Sequence, residues 1–313
     1  MPPIPGLLPK APKGFRSGFA ALVGRPNVGK STILNGLVGQ KIAITSPIAQ
    51  TTRNRLQGIL TLPTAQIVLV DTPGIHKPHH RLGEALVNTA RSALNSVDAV
   101  ILVVDGSEMA GKGDRFIANW LSPDLPVILC RNKQDLLPKG KDKQDKGKRR
   151  AIADSYREML PQAKDVSISA LNKNSLEPLL SAIASQLPQG PYYYPPDLVT
   201  DRPERFIMGE LIREQILHHT RNEVPHSVAI TIDRVEESPK ITRILATAIV
   251  ERDSQKGILI GKGGQMLKTI GSGARQQIQK LIVGKVYLEL FVKVRPKWRQ
   301  SAGLLAELGY AEE

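Results

Sequence analysis

Residues 24–31 read Gly24, Arg25, Pro26, Asn27, Val28, Gly29, Lys30 and Ser31. The spacing G-x-x-x-x-G-K-[ST] is that of a loop that wraps phosphates. Each residue type has a chemical reason. Glycines let backbone N–H groups curl around β- and γ-phosphate oxygens, at a helix start whose dipole favours anions. Lys30 adds a full positive charge to the same oxygens, and Ser31 offers a hydroxyl to Mg2+. Downstream, Asp71, Thr72, Pro73 and Gly74 close the apolar run "QIVLVD". An aspartate there can support the metal ion and a glycine can sense the terminal phosphate. Asn132, Lys133, Gln134 and Asp135 follow a later apolar run, and "SISA", which contains Ser169 and Ala170, follows the last one.

A second glycine-rich loop, Gly261, Lys262, Gly263 and Gly264, looks similar and differs in chemistry. It lacks the four-residue spacer, the following Ser or Thr, and an acidic metal ligand, the nearest acid being Asp253. A second hydrolytic site is therefore excluded. Glycines here let the backbone approach a sugar-phosphate chain, and Lys262 adds charge. Lys268, Arg275 and Lys280 continue a positive strip, and residues 255–299 hold ten Lys or Arg against the single acid Glu289.

The elements that must position these loops fall into two patterns. From 18 to 188, near-continuous apolar runs ("FAALVG", "TAQIVLVD", "AVILVVD", "PVILCRNK", "DVSISA") alternate with amphipathic helical stretches. Such runs are buried on both faces, which predicts an α/β domain with a mainly parallel sheet. Its ligand loops lie where open sheets place them, at strand ends. Proline-rich residues 189–201 form a linker that its tyrosines should dock against a domain. From 202 to 299 the order is α-β-β-α-α-β, a smaller α+β domain. "KVYLELFVKVR" alternates strictly, with Val286, Leu288, Leu290, Val292 and Val294 on one face. Residues 1–17 are expected to be a disordered tail and 300–313 a C-terminal tail.

Composition narrows the partner. The net charge of +14 and the 41% hydrophobic share describe a globular protein suited to a polyanion such as nucleic acid. A single cysteine, Cys130, excludes an intramolecular disulfide framework and suits a reducing cytosol. The basic stretch 139–150 reads as a solvated surface. The histidines in "HKPHH" at 76–80 read as solvated loop residues, since no matching cluster completes a metal site.

The set "GRPNVGKST", "QTTRN", "DTPGI", "NKQD", "SISA" and "GKGG" resembles the Era family of GTPases. These join a translation-factor-class GTPase domain to a type II KH domain. The resemblance spans about residues 18–299. It implies that Asp135 binds the guanine N1–H and 2-amino group, Asn132 braces loop and base, Lys133 lies along the base, and the Ala170 N–H reaches O6 beside Ser169. ATP would leave Asp135 unpaired, so discrimination should be strong. Thr52, with Thr51 as the alternative, should join Ser31 and Asp71 on Mg2+. Lys30, Thr52 and Gly74 are then the catalytic set. Ile75 stands where many GTPases carry a water-orienting glutamine, so slow turnover is expected. Asn27 resembles an asparagine that coordinates K+ in some relatives; a turn-capping role competes with that reading.

The same resemblance implies that Gly261, Lys262, Gly263, Gly264, Lys268 and Arg275 contact RNA, the KH loop clamping about four nucleotides. It further implies binding near the 3′ end of small-subunit ribosomal RNA, control by GTP, and a role in assembly of the small ribosomal subunit. A monomer in the cytoplasm is expected, with peripheral contact at the inner face of the cell membrane. An RNA-binding module with incidental hydrolysis and a membrane-associated regulatory GTPase share the same motifs.

Overall fold

A computed structural model describes residues 8–48, 51–75, 81–138, 140, 142–222 and 224–310. The chain divides into two units, one of residues 1–43, 52–77 and 86–201, the other of residues 44–51, 78–85 and 202–313.

The first unit carries β1 (Arg16–Val23), α1 (Lys30–Val38), β2 (Leu56–Leu62), β3 (Ala65–Asp71), most of α2 (Arg81–Ala93), β4 (Ala99–Asp105), α3 (Lys112–Ala118), β5 (Val127–Asn132), α4 (Lys143–Met159), β6 (Lys164–Ser167) and α5 (Glu177–Gln186). Its sheet has the order β2-β3-β1-β4-β5-β6. Every residue of β3 and β4 is buried, as unbroken apolar runs require when helices cover both faces. All pairings are parallel except β2 with β3. No expectation placed β2 there. Its sequence "LQGILTL" is interrupted by a glutamine, a glycine and a threonine, and only pairing along β3 reveals it as an edge strand.

The tail expected over 1–17 ends earlier. Phe15 is buried and Arg16 opens β1, while residues 1–7 lie outside the described ones. Residues 187–201 pack on this unit. Phe15 meets Tyr192 and Phe19 meets Tyr193, with ring centroids 4.5 and 5.1 Å apart. The buried Gln66 side chain fixes the backbone beside them, accepting from the N–H groups of Tyr193 and Tyr194 at 2.7 and 3.0 Å and donating to the Tyr194 carbonyl at 2.9 Å.

The second unit carries α6 (Glu204–His219), β7 (Ala229–Glu237), β8 (Ile241–Val250), α7 (Asp253–Ile260), α8 (Gln265–Ile278), β9 (Lys285–Val294) and α9 (Ala302–Glu307). β8 pairs antiparallel with β7 and parallel with β9. Alternation along β9 leaves Lys285, Tyr287, Glu289, Phe291 and Lys293 exposed. Beyond residue 299 the chain is not a plain tail. Fully buried Trp298 donates its indole N–H to the Ser227 carbonyl at 3.0 Å and stacks on Tyr310, and Leu305 of α9 is buried. Among the described residues, no helix is long and apolar enough to cross a membrane.

Candidate nucleotide site and nucleic-acid groove

The end of β1 turns into α1 through the Gly24–Ser31 loop. Gly29, the residue before α1, has φ 103°; a Cβ there would lie 2.2 Å from the Asn132 amide nitrogen, so only glycine fits. Lys30 is buried, and its ammonium donates to the carbonyls of Gly24 (3.1 Å) and Arg25 (2.9 Å). Burial lowers its pKa to about 8, against the opposing pull of the Asp71 charge. The Arg25 guanidinium is tied to the buried carboxylate of Asp114 at 2.8 Å.

Three expected metal-site residues converge. Ser31 Oγ donates to Asp71 Oδ2 at 2.7 Å, Thr52 Oγ1 donates to the same oxygen at 3.1 Å, and the two hydroxyls lie 2.8 Å apart. Asp71 Oδ1 is buried with no hydrogen-bond partner among the described residues. Hydroxyls gathered on a buried carboxylate with one orphaned oxygen are the donor chemistry of a hard cation such as Mg2+. Burial raises the Asp71 pKa, countered in part by Lys30, and a divalent cation would restore the charged form. The Thr51 hydroxyl donates to the Ile48 carbonyl at 2.5 Å. Thr72 Oγ1 donates to the Leu22 carbonyl at 2.8 Å, anchoring the Asp71–Gly74 turn to β1. A Cβ on Gly74 would lie 2.8 Å from the Pro26 Cα. Ile75 is buried in the core with Val23, Val70 and Ala90, so its side chain faces the core. Gln50 and the histidine run at 76–80 lie outside the described residues. Among those described, no group of three His, Cys, Asp or Glu could hold a metal.

The residues expected to read a base gather at the ends of β5 and β6. Asn132 Nδ2 donates to the Val28 carbonyl and its Oδ1 accepts from the Ala170 N–H, both at 2.8 Å. The Ala170 amide expected at the guanine O6 therefore serves Asn132, and a base oxygen would have to share it. Ser169 Oγ donates to Asp135 Oδ1 at 2.5 Å, and Asp135 is exposed. Lys133 has a left-handed backbone, φ 63° and ψ 36°. Sequence reasoning missed two acids here, Asp105 beside Lys133 and Asp114 beside Arg25. Their partners lie 28 and 89 residues away, so no local spacing marks them.

In the second unit, Gly261, Gly263 and Gly264 all have positive φ (71°, 59° and 78°). Among the described residues nothing lies within 4 Å of a Cβ built on Gly263 or Gly264, so the loop backbone is open to a ligand. Lys262 is exposed at its tip. Next to it runs a groove of about 470 Å³, with Lys268 and Arg275 of α8 on one side and Tyr287, Leu288 and Leu290 of β9 on the other. The β9 contribution was not anticipated; its alternation was legible, but which helix it borders was not.

Two family descriptions match the chain: "50S ribosome-binding GTPase" over residues 19–133 and "KH domain" over residues 223–299. GTPase Era of Nostoc sp. strain PCC 7120 is 64% identical over 307 residues, 98% of this chain and 93% of that protein. GTPase Era of Heliobacterium modesticaldum is 47% identical over 96% of this chain and 98% of that protein. The crystal structure of Era in complex with MgGDPNP and nucleotides 1506–1542 of 16S ribosomal RNA superposes with a TM-score of 0.89. It is 38% identical and covers 95% of this chain and 100% of that one. A point variant of Aquifex aeolicus Era bound to GDP and AlF4− gives 0.88 at 37% identity, covering 95% and 100% of the two chains. A GTPase unit and a KH unit in one chain define a nucleotide switch with an attached nucleic-acid module. The chain belongs to the GTPase Era family, and it is a GTPase.

Proposed function

We propose that this chain is a GTP-hydrolysing switch that binds small-subunit ribosomal RNA near its 3′ end and acts in assembly of the small subunit. The observation that carries the reading is one chain holding both sites. Ser31 and Thr52 converge on Asp71 beneath the phosphate loop, and a basic groove borders the 261–264 loop. The relative crystallised with MgGDPNP and 16S ribosomal RNA supports it.

In this reading the N–H groups of residues 24–31 and the Lys30 ammonium hold the β- and γ-phosphates. Ser31, Thr52 and Asp71 hold Mg2+, which when bound neutralises charge developing on the phosphate oxygens. Gly74 senses the terminal phosphate. Asp135 reads the guanine edge, Asn132 and Lys133 support the base, and Ser169 orients Asp135. Asn27 seats K+. Residues 18–188 and 202–299 are the working domains, and Gly261, Lys262, Gly263, Gly264, Lys268 and Arg275 carry the RNA backbone. The protein acts as a cytoplasmic monomer in this reading, and the positive surplus suits contact with the anionic inner face of the membrane. The test is filter binding of a single-stranded 3′-end ribosomal RNA with GTP, GDP or no nucleotide, alongside single-turnover hydrolysis with and without that RNA. Affinity for the RNA that depends on nucleotide is expected. Equal affinity for an unrelated RNA of the same length would overturn the assignment.

A further inference from the structure

Two buried carboxylates beside the nucleotide-site motifs have no assigned role, Asp114 next to Arg25 and Asp105 next to Lys133. Asp105 ends β4, side by side with Asn132 at the end of β5 in the sheet register. Its Oδ2 meets the Lys133 ammonium at 2.6 Å, with side-chain exposures of 8% for Asp105 and 30% for Lys133. Oδ1 accepts from the Ser107 N–H at 3.0 Å and the Ser107 hydroxyl at 2.5 Å. The Asp105 carbonyl accepts from the buried Tyr156 hydroxyl at 3.0 Å, and the Gly106 N–H donates to the Asn132 carbonyl at 2.7 Å. Residues 105–107 thus grip both Asn132 and Lys133 from the neighbouring strand end.

From this geometry we infer that Asp105 is a positioning residue of the guanine pocket: it fixes the Lys133 ammonium and so holds the lysine stem along the base. This inference rests on the nucleotide site proposed above. Lysine has four rotatable side-chain bonds, and an untethered stem would lose rotamer freedom on covering the base. Lys133 also holds a left-handed backbone, which residues with a Cβ disfavour, so local preference does not keep it there. Burial pushes the Asp105 pKa up, but the bonds from Lys133 and Ser107 outweigh it and hold the carboxyl below its ordinary value. It is therefore charged at neutral pH.

A stem lying along the base face is blind to the base edge, and this separates Asp105 from Asp135. In the full-length protein, Asp105→Asn should weaken GDP and inosine diphosphate by the same factor, about tenfold, leaving their ratio unchanged. The nucleotides are titrated by competition against a fluorescent GDP. In a Lys133→Met background the same substitution should have no further effect, because the group that it positions is gone. A general structural role would act equally in both backgrounds. Unchanged affinity, a changed GDP-to-inosine-diphosphate ratio, or an equal loss without the lysine overturns the inference. If Asp105→Asn does not fold, Ser107→Ala removes one brace of the same carboxylate and should weaken GDP severalfold; unchanged affinity again overturns it. Failure of the unaltered protein to bind any guanine nucleotide would instead remove the underlying site.

Discussion

Asn132 and Val28 join two motifs that are 104 residues apart: the Asn132 amide donates to the Val28 carbonyl at 2.8 Å. The other end of the same side chain accepts from the Ala170 N–H at 2.8 Å. One buried amide thus sets the spacing between phosphate loop, base loop and the turn after β6. Asn132→Ala would leave a buried carbonyl and a buried N–H unpaired, at about 1–3 kcal/mol each. The expected outcome is a fall in Tm of several degrees together with weaker GDP binding. Thermal denaturation with and without GDP checks both.

In the proposed reading Asp135 chooses the base; its carboxylate is exposed and accepts from the Ser169 hydroxyl. Asp135→Asn should move preference from guanine to xanthine nucleotides, whose added carbonyl accepts from the new amide. ATP should compete poorly with GTP against the unaltered protein, by roughly 10⁴-fold in the best case. Comparable ATP and GTP affinities in a competition titration contradict this.

The Lys30 amine titrates near 8 in the free protein because it is buried. Bound phosphates favour its charged form and raise that value. Binding should therefore take up protons when the free amine is partly neutral, near and above pH 8, and take up few well below it. Affinity should fall as pH rises from about 7 to about 8.5. Calorimetry of GDP binding in two buffers of different ionisation enthalpy reads the proton directly, and no uptake at the upper pH refutes the prediction.

Ile75 packs into the core with Val23, Val70 and Ala90. Replacing it with glutamine buries an amide there. Ile75→Gln is expected to destabilise the unit by about 1–3 kcal/mol without accelerating GTP hydrolysis. Turnover should be slow, should require Mg2+, and should be faster in K+ than in Na+ with Asn27 present. Phosphate release in the two salts, for the unaltered protein and Asn27→Ala, checks this; equal rates remove the K+ role.

The Gly263 backbone is left-handed and a side chain there would meet open space. Gly263→Asp should thus cost the fold only about 1–2 kcal/mol and leave GDP affinity intact. Binding of single-stranded 3′-end RNA should be abolished, because in the proposed contact the carboxylate would face the phosphate chain. Lys262→Ala should weaken RNA less and reduce the salt dependence by about one phosphate contact. Full RNA affinity in Gly263→Asp would make the loop a turn and nothing more.

Contiguous chemistry was legible in the chain. The spacing from Gly24 to Ser31, the Asp71–Gly74 turn and the Asn132–Asp135 quartet each lie within a few residues, and each sits at the end of an apolar run that could only be a buried strand. Strict alternation placed Tyr287 and Phe291 on the exposed face of β9 for a similar reason, since side chains in a strand have a period of two. Tertiary structure decided what depends on register and packing between distant segments. It made Leu56–Leu62 a strand by laying it along β3, and it turned Ile75 into the core. It gave the Ala170 amide to Asn132, and it set the carboxylate of Asp105 against Lys133 by pairing the ends of β4 and β5. These partners lie tens of residues apart, and a chain's local pattern records which face a residue presents, not which neighbour the sheet will place beside it.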